Sequence, residues 1–154
     1  MMLNFNSKKR QRGTAIVETI VAAPVMLFLV LVGGELTNAF IEQNTLTKSA
    51  RNAVRHLAEN ALQGTTTVVA FDAALIAETR NLLVYGNRTG AGSPVLSGLN
   101  TGSVQVLDIG ANNVQVTVTY AYTGILGNTL PAFGFGSDAS LGINLQATAT
   151  MRAL

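Results

Sequence analysis

The stretch Thr14–Gly34 carries one charged side chain, Glu18, in 21 residues that are otherwise apolar or small, with threonine the only other polar type. Built as an α-helix at ~1.5 Å per residue it is about 31 Å long. That matches the ~30 Å hydrocarbon thickness of a bilayer. Lys8, Lys9, Arg10 and Arg12 stand directly before it. A basic cluster at one end of an apolar span predicts that this end stays in the cytoplasm. The sequence is thus expected to divide into a cytoplasmic leader (1–13), a transmembrane helix (14–34) and an exported head (35–154).

Charge supports this division. The chain has 154 residues, ten basic and eight acidic. All eight acidic residues follow Gly13, and without the four leading basic residues the net charge is −2. The high isoelectric point therefore reports the leader and not a nucleic-acid-binding face, which needs basic residues spread over a folded surface. There is no cysteine, which excludes disulfides, thiolate nucleophiles and cysteine-ligated zinc.

Three leaders share this pattern: a secretory signal peptide, an uncleaved single-pass anchor, and a prepilin-type leader. No A-x-A site follows Gly33-Gly34-Glu35. The third alternative gives Glu18 a reason. A carboxylate in an apolar span costs about 2.5–3.5 kcal/mol at a helix centre and less near an end. A cut between Gly13 and Thr14 creates an α-amino group four residues earlier, cationic at neutral pH. Amine and carboxylate can then pair within one helix or between neighbouring subunits. Snorkelling of Glu18 toward Arg12 is the alternative. Pro24 removes one helical hydrogen bond and favours a kink, which membrane helices tolerate.

Arg12-Gly13-Thr14-Ala15-Ile16-Val17-Glu18, then Ala22-Ala23-Pro24 and a Leu/Val/Phe run, resembles the N-terminus of the TadE-like proteins of bacterial tight-adherence pilus systems. More broadly it resembles type IV prepilins. The resemblance implies that Gly13 is the residue before the cut, Thr14 the new N-terminus and Glu18 an assembly glutamate. It implies a minor pilin, or pseudopilin, in the inner membrane or the pilus itself. Its partners would be the membrane, a prepilin peptidase, other pilin subunits and pilus assembly proteins. No cofactor, nucleic acid or small-molecule substrate is implied. Thr19 departs from the pattern, where many relatives have an aromatic or apolar residue. Leu46–Arg55 and Ala147–Arg152 also resemble TadE-like segments. A TadF-like minor pilin fits as well, and a secreted or anchored binding module unrelated to pili is the alternative from another class.

The head reads as α+β and pilin-like. Leu46, Ala50, Ala53, Leu57 and Ala61 repeat at helical steps, with Lys48, Arg51, Arg55 and Glu59 on another face. This amphipathic helix continues the span and ends near Gln63-Gly64 and Thr65–Thr67. A second helix is expected from Asp72, as N-cap, to Gly86, with Leu75, Ile76, Thr79, Leu82 and Leu83 on its apolar side. Asn87–Gly102 reads as a loop, and the triplet Asn87-Arg88-Thr89 in it carries no assigned function. Ser103–Ile109 predicts a strand, with a turn at Gly110–Asn113. Val114, Val116, Val118, Tyr120 and Tyr122 alternate with polar or small residues, as do Leu141, Ile143, Leu145, Ala147, Ala149 and Met151. Both patterns predict strands with one buried face. Thr123–Ser140 reads as a long connection. The expected head is three antiparallel strands lying on the helix.

No catalytic or metal-binding set emerges, so an enzyme is not expected. His56 is the sole histidine and reads as a surface or packing residue. Gly124–Gly127 and Gly134–Gly136 lack a P-loop lysine or a strand–glycine–helix setting. Phe133–Asp138 lacks the several acidic ligands of a calcium loop.

Overall fold

The structure is a computed structural model that describes residues 7–62, 69–125, 127–130 and 136–153, with side chains from Gly13 onward except that of Leu130. Gln63-Gly64, Thr65–Thr67 and Phe133-Gly134-Phe135 lie outside the described residues.

Helix α1 runs from Ser7 to Asn60, through Pro24, and carries the leader positions, the apolar run and the amphipathic stretch in one element. Helix α2 spans Ala73–Tyr85. A 3₁₀ turn at Thr101–Ser103 leads into β1 (Val104–Gly110), followed by β2 (Asn113–Ala121), β3 (Thr129–Leu130), β4 (Ala139–Ser140) and β5 (Asn144–Arg152). A three-stranded antiparallel sheet has the order β1-β2-β5, and β3 and β4 form a separate small pair. The fold is the α+β, pilin-like arrangement expected.

Two compact units emerge. One comprises residues 1–38 with 124–141, the other 39–123 with 142–154. In the second unit Leu46, Ala50, Ala53, Val54, Leu57 and Ala58 of α1 share a core with α2 and the sheet. The alanines let the helix come close to the strands while the leucines fill the space between. Lys48, Arg51, Arg55 and Glu59 are exposed, as the helical spacing requires. Val114, Val116, Val118 and Tyr120 form the buried face of β2. On the opposite face the Thr117 and Thr148 hydroxyls lie 3.1 Å apart, and the Gln115 amide donates to Thr150 Oγ1 at 3.2 Å.

Helix α2 is bounded as its sequence dictates. The Asp72 carboxylate accepts the Leu75 N–H at 2.6 Å. Gly86 closes the other end in the left-handed region at φ 72, its N–H donating to the Leu82 carbonyl. The buried stripe is Leu75, Thr79, Leu83 and Val84, whereas Ile76 and Leu82 are only partly covered. The Thr79 hydroxyl donates to the Leu75 carbonyl at 2.7 Å, so this polar group enters the core satisfied.

Three expectations need correction. The first strand begins at Val104, because Asn100 accepts the Ser103 N–H and holds the preceding residues in the 3₁₀ turn. The last strand begins at Asn144 rather than Leu141. Leu141 donates to the Asn128 carbonyl and so belongs to the β3–β4 hairpin. The connection Thr123–Ser140 therefore contains structure of its own.

The β1–β2 turn stores strain. Ala111 and Asn112 have φ 52 and 58. This sign of twist suits a two-residue hairpin, but left-handed backbone costs an alanine roughly 1–2 kcal/mol. Ala111→Gly is therefore expected to stabilise the head by about 0.5–1 kcal/mol after glycine's extra unfolded freedom is counted. The urea midpoint of the full chain in detergent micelles checks this.

Candidate functional site

The apolar part of α1 is its candidate working surface. The most apolar window of the helix has no residue buried inside the molecule. Ile16, Val17, Ile20, Val21, Val25, Met26 and Val30 all expose more than half of their surface, as does Leu29, and so do Phe40 and Ile41 beyond Gly34, with Leu36 half exposed. Steps of one, three and four residues place them all round the helix. Pro24, Phe28, Leu31 and Val32 are partly covered, on the face that leads to Glu35. A helix apolar all round and otherwise exposed is suited to lipid or to neighbouring apolar helices.

Glu18 is exposed on this helix, between two shallow apolar grooves. One has Val17, Val21, Val25 and Leu29 along it; the other has Thr19, Ala23, Leu27 and Val30. No basic residue occurs between Arg12 and Lys48. Any cation paired with Glu18 therefore comes from the residues before it, from a chain terminus or from another molecule. Gly13 and Thr14 are helical and lie one turn earlier. Lys8, Lys9, Arg10 and Arg12 are helical positions as well. Thr19 is accommodated by a hydrogen bond from its hydroxyl to the Ala15 carbonyl at 2.8 Å. That bond hides the polar group and lets threonine stand in an apolar run. Pro24 has no N–H to offer the Ile20 carbonyl one turn back.

Glu35 carries no local signal in the sequence. It is 4% exposed, and its Oε2 accepts the Ile125 N–H at 3.1 Å. The partner lies 90 positions later, so no local pattern signals it.

Other polar groups serve the fold. His56 is buried, with Nε2 3.1 Å from Glu78 Oε2 and Nδ1 3.3 Å from the Asn60 amide. If Asn60 donates to Nδ1, Nε2–H donates to Glu78, and both ring nitrogens are used between α1 and α2. Asn87 accepts from the Thr89 hydroxyl and the Ala91 N–H and donates to the Tyr85 and Ala91 carbonyls. Its amide is committed to shaping the loop after α2. Among the described residues no three His, Cys, Asp or Glu side chains converge to hold a metal.

Tyr120 donates to the Ser97 carbonyl at 2.9 Å. Burial pushes its phenol pKa above the usual 10.0, and the neighbouring Glu42 carboxylate adds to the rise. The folded state therefore favours the protonated phenol. This contribution is whole below pH 10 and declines as pH rises through the higher folded value. Tyr120→Phe is expected to flatten that part of the alkaline loss of stability. Denaturation midpoints of both proteins between about pH 9 and about pH 12 test it.

Comparison with known proteins adds one finding. No curated protein and no solved structure matches the chain, whereas the TadE-like protein family model matches residues 13–55. The match opens at Gly13, includes Glu18 and Pro24, and closes at Arg55; the likeness at Ala147–Arg152 lies outside it. Over residues 13–55 the long N-terminal helix of this chain is similar to the TadE-like protein family.

Proposed function

We propose that the chain is a membrane-anchored minor pilin that supports assembly of a tight-adherence pilus. Residues 14–34 span the inner membrane, the basic leader stays in the cytoplasm, and residues 35–154 are exported. A prepilin peptidase cuts after Gly13. The amine freed on Thr14 then lies one helical turn from Glu18, and the pair meets within a helix or across two. Pro24 gives the helix a bend with which to pack beside other pilin subunits.

The observation that carries this reading is the helix itself: apolar on every side, with no residue of its most apolar window buried and a single carboxylate one turn after Gly13. An ordinary anchor has no use for that carboxylate. Mass spectrometry of the protein extracted from membranes is the direct test. A mature chain that begins at Thr14 is expected; one that begins anywhere else removes the pilin reading. A binding module unrelated to pili makes the opposite forecast, because its deletion would leave pili intact.

A further inference from the structure

The Gly124–Gly127 turn is held to α1 by the carboxylate of Glu35. Gly127 donates to the Gly124 carbonyl at 2.9 Å, and the two residues form an isolated antiparallel bridge. A Cβ on Gly124 would stand 2.7 Å from Glu35 Oε2 and 2.7 Å from the Gly127 carbonyl oxygen. Only glycine permits so close an approach.

The clamp presents Ile125 outward. Its N–H is bound to Glu35 while its side chain is 73% exposed. With its N–H held by Glu35, Ile125 keeps its side chain out in solvent. Glu35 directly follows the apolar run, so the clamp fixes Ile125 at the run's exported end. Val30 and Leu36 of the same compact unit are also exposed there. The chain from Ile109 to Ser137 has no charged side chain, so the connection bearing Ile125 brings no charge with it.

We propose that the Gly124–Gly127 turn is a second membrane contact, with Ile125 entering the interfacial layer of a lipid bilayer beside α1. The occupant is lipid because the turn is bound to Glu35, the residue that directly follows the apolar run, and its exposed Ile125 lies in a stretch of chain without charge. Glu35 then has a stated task. It ends the span with a carboxylate already bound to backbone and fixes the turn at headgroup depth. Two contacts instead of one set the depth and rotation of the helix, which a bare span leaves free.

This inference rests on the membrane-anchor reading, and its test separates the two. The chain has no cysteine, so single cysteines can be introduced and labelled with an environment-sensitive fluorophore. Ile125→Cys, Leu29→Cys and Leu107→Cys are compared in the full chain, reconstituted in phosphatidylcholine–phosphatidylglycerol vesicles. Leu29 reports the span, and Leu107 reports an exposed position on β1. At position 125 we expect quenching by shallow nitroxide-labelled lipid and several-fold lower access to iodide than at 107. Adding Gly124→Ala should return position 125 to iodide. If 125 is as open to iodide as 107 while 29 stays shielded, the second contact is wrong and the anchor stands. If 29 is open as well, the anchor reading fails and the proposal with it. Shielding of 125 from both quenchers means that protein covers it and overturns the lipid assignment. An unchanged signal in the Gly124→Ala background overturns the clamp.

Discussion

Replacing Leu57 by alanine is expected to destabilise the head by about 2–5 kcal/mol, the range for a fully buried leucine in a well-packed core. Leu57 has no exposed surface and shares its core with Leu83 of α2 and Val114 and Val116 of β2. Its neighbours on the helix face include Ala50, Ala53 and Ala58, which cannot extend into a vacated space. The cavity would therefore persist. Amide exchange of β2 residues, measured on the full chain in micelles, reads the loss directly. Leu36→Ala is the control, since Leu36 is half exposed outside this core. A drop in β2 protection of less than about 1 kcal/mol for Leu57→Ala would mean that the helix does not seal the sheet.

Glu18→Ala is expected to separate insertion from assembly. Alanine removes a cost of up to about 2.5–3.5 kcal/mol from the apolar segment, so the variant should enter the membrane at least as well as the native chain. On the proposed reading it loses the partner for the amine that cleavage would free on Thr14. A carboxylate near the start of a helix is also favoured by the helix dipole, and cutting after Gly13 puts Glu18 close to such a start. Both terms vanish in the alanine variant. Its recovery in sheared filaments should fall at least about tenfold, the equivalent of roughly 1.4 kcal/mol. Immunoblots of the membrane and filament fractions give both quantities from one culture. Normal filament content with Glu18→Ala would deny the glutamate any part in assembly. Loss from the membrane fraction would place its role in insertion instead.

Much of the fold was legible because its signals are local. Asp72 and Gly86 mark the ends of α2 by their own backbone chemistry, and the valines of β2 alternate with the pleat. The stripe from Leu46 to Ala61 follows the helical repeat and is buried throughout. What escaped depends on distant partners. Leu141 continues the alternation of β5, yet Asn128 recruits its N–H. Strands of two residues, such as β3 and β4, are too short to show a period. The candidate site divides in the same way. Gly13, Glu18 and the apolar run are written in consecutive residues, and the family match covers them. Glu35 is an ordinary acidic residue in the sequence, and only the fold brings it to Ile125.

The head places its helix and its sheet far apart in the chain: the Gln43 amide donates to the Gln146 carbonyl, 103 positions later. Synthesis from the N-terminal end delivers Leu46, Ala50 and Leu57 well before the valines that cover them. For that interval a greasy stripe stands without the sheet that will cover it. Folding of this head is thus a late event, timed by the arrival of β5 and not by synthesis of the helix.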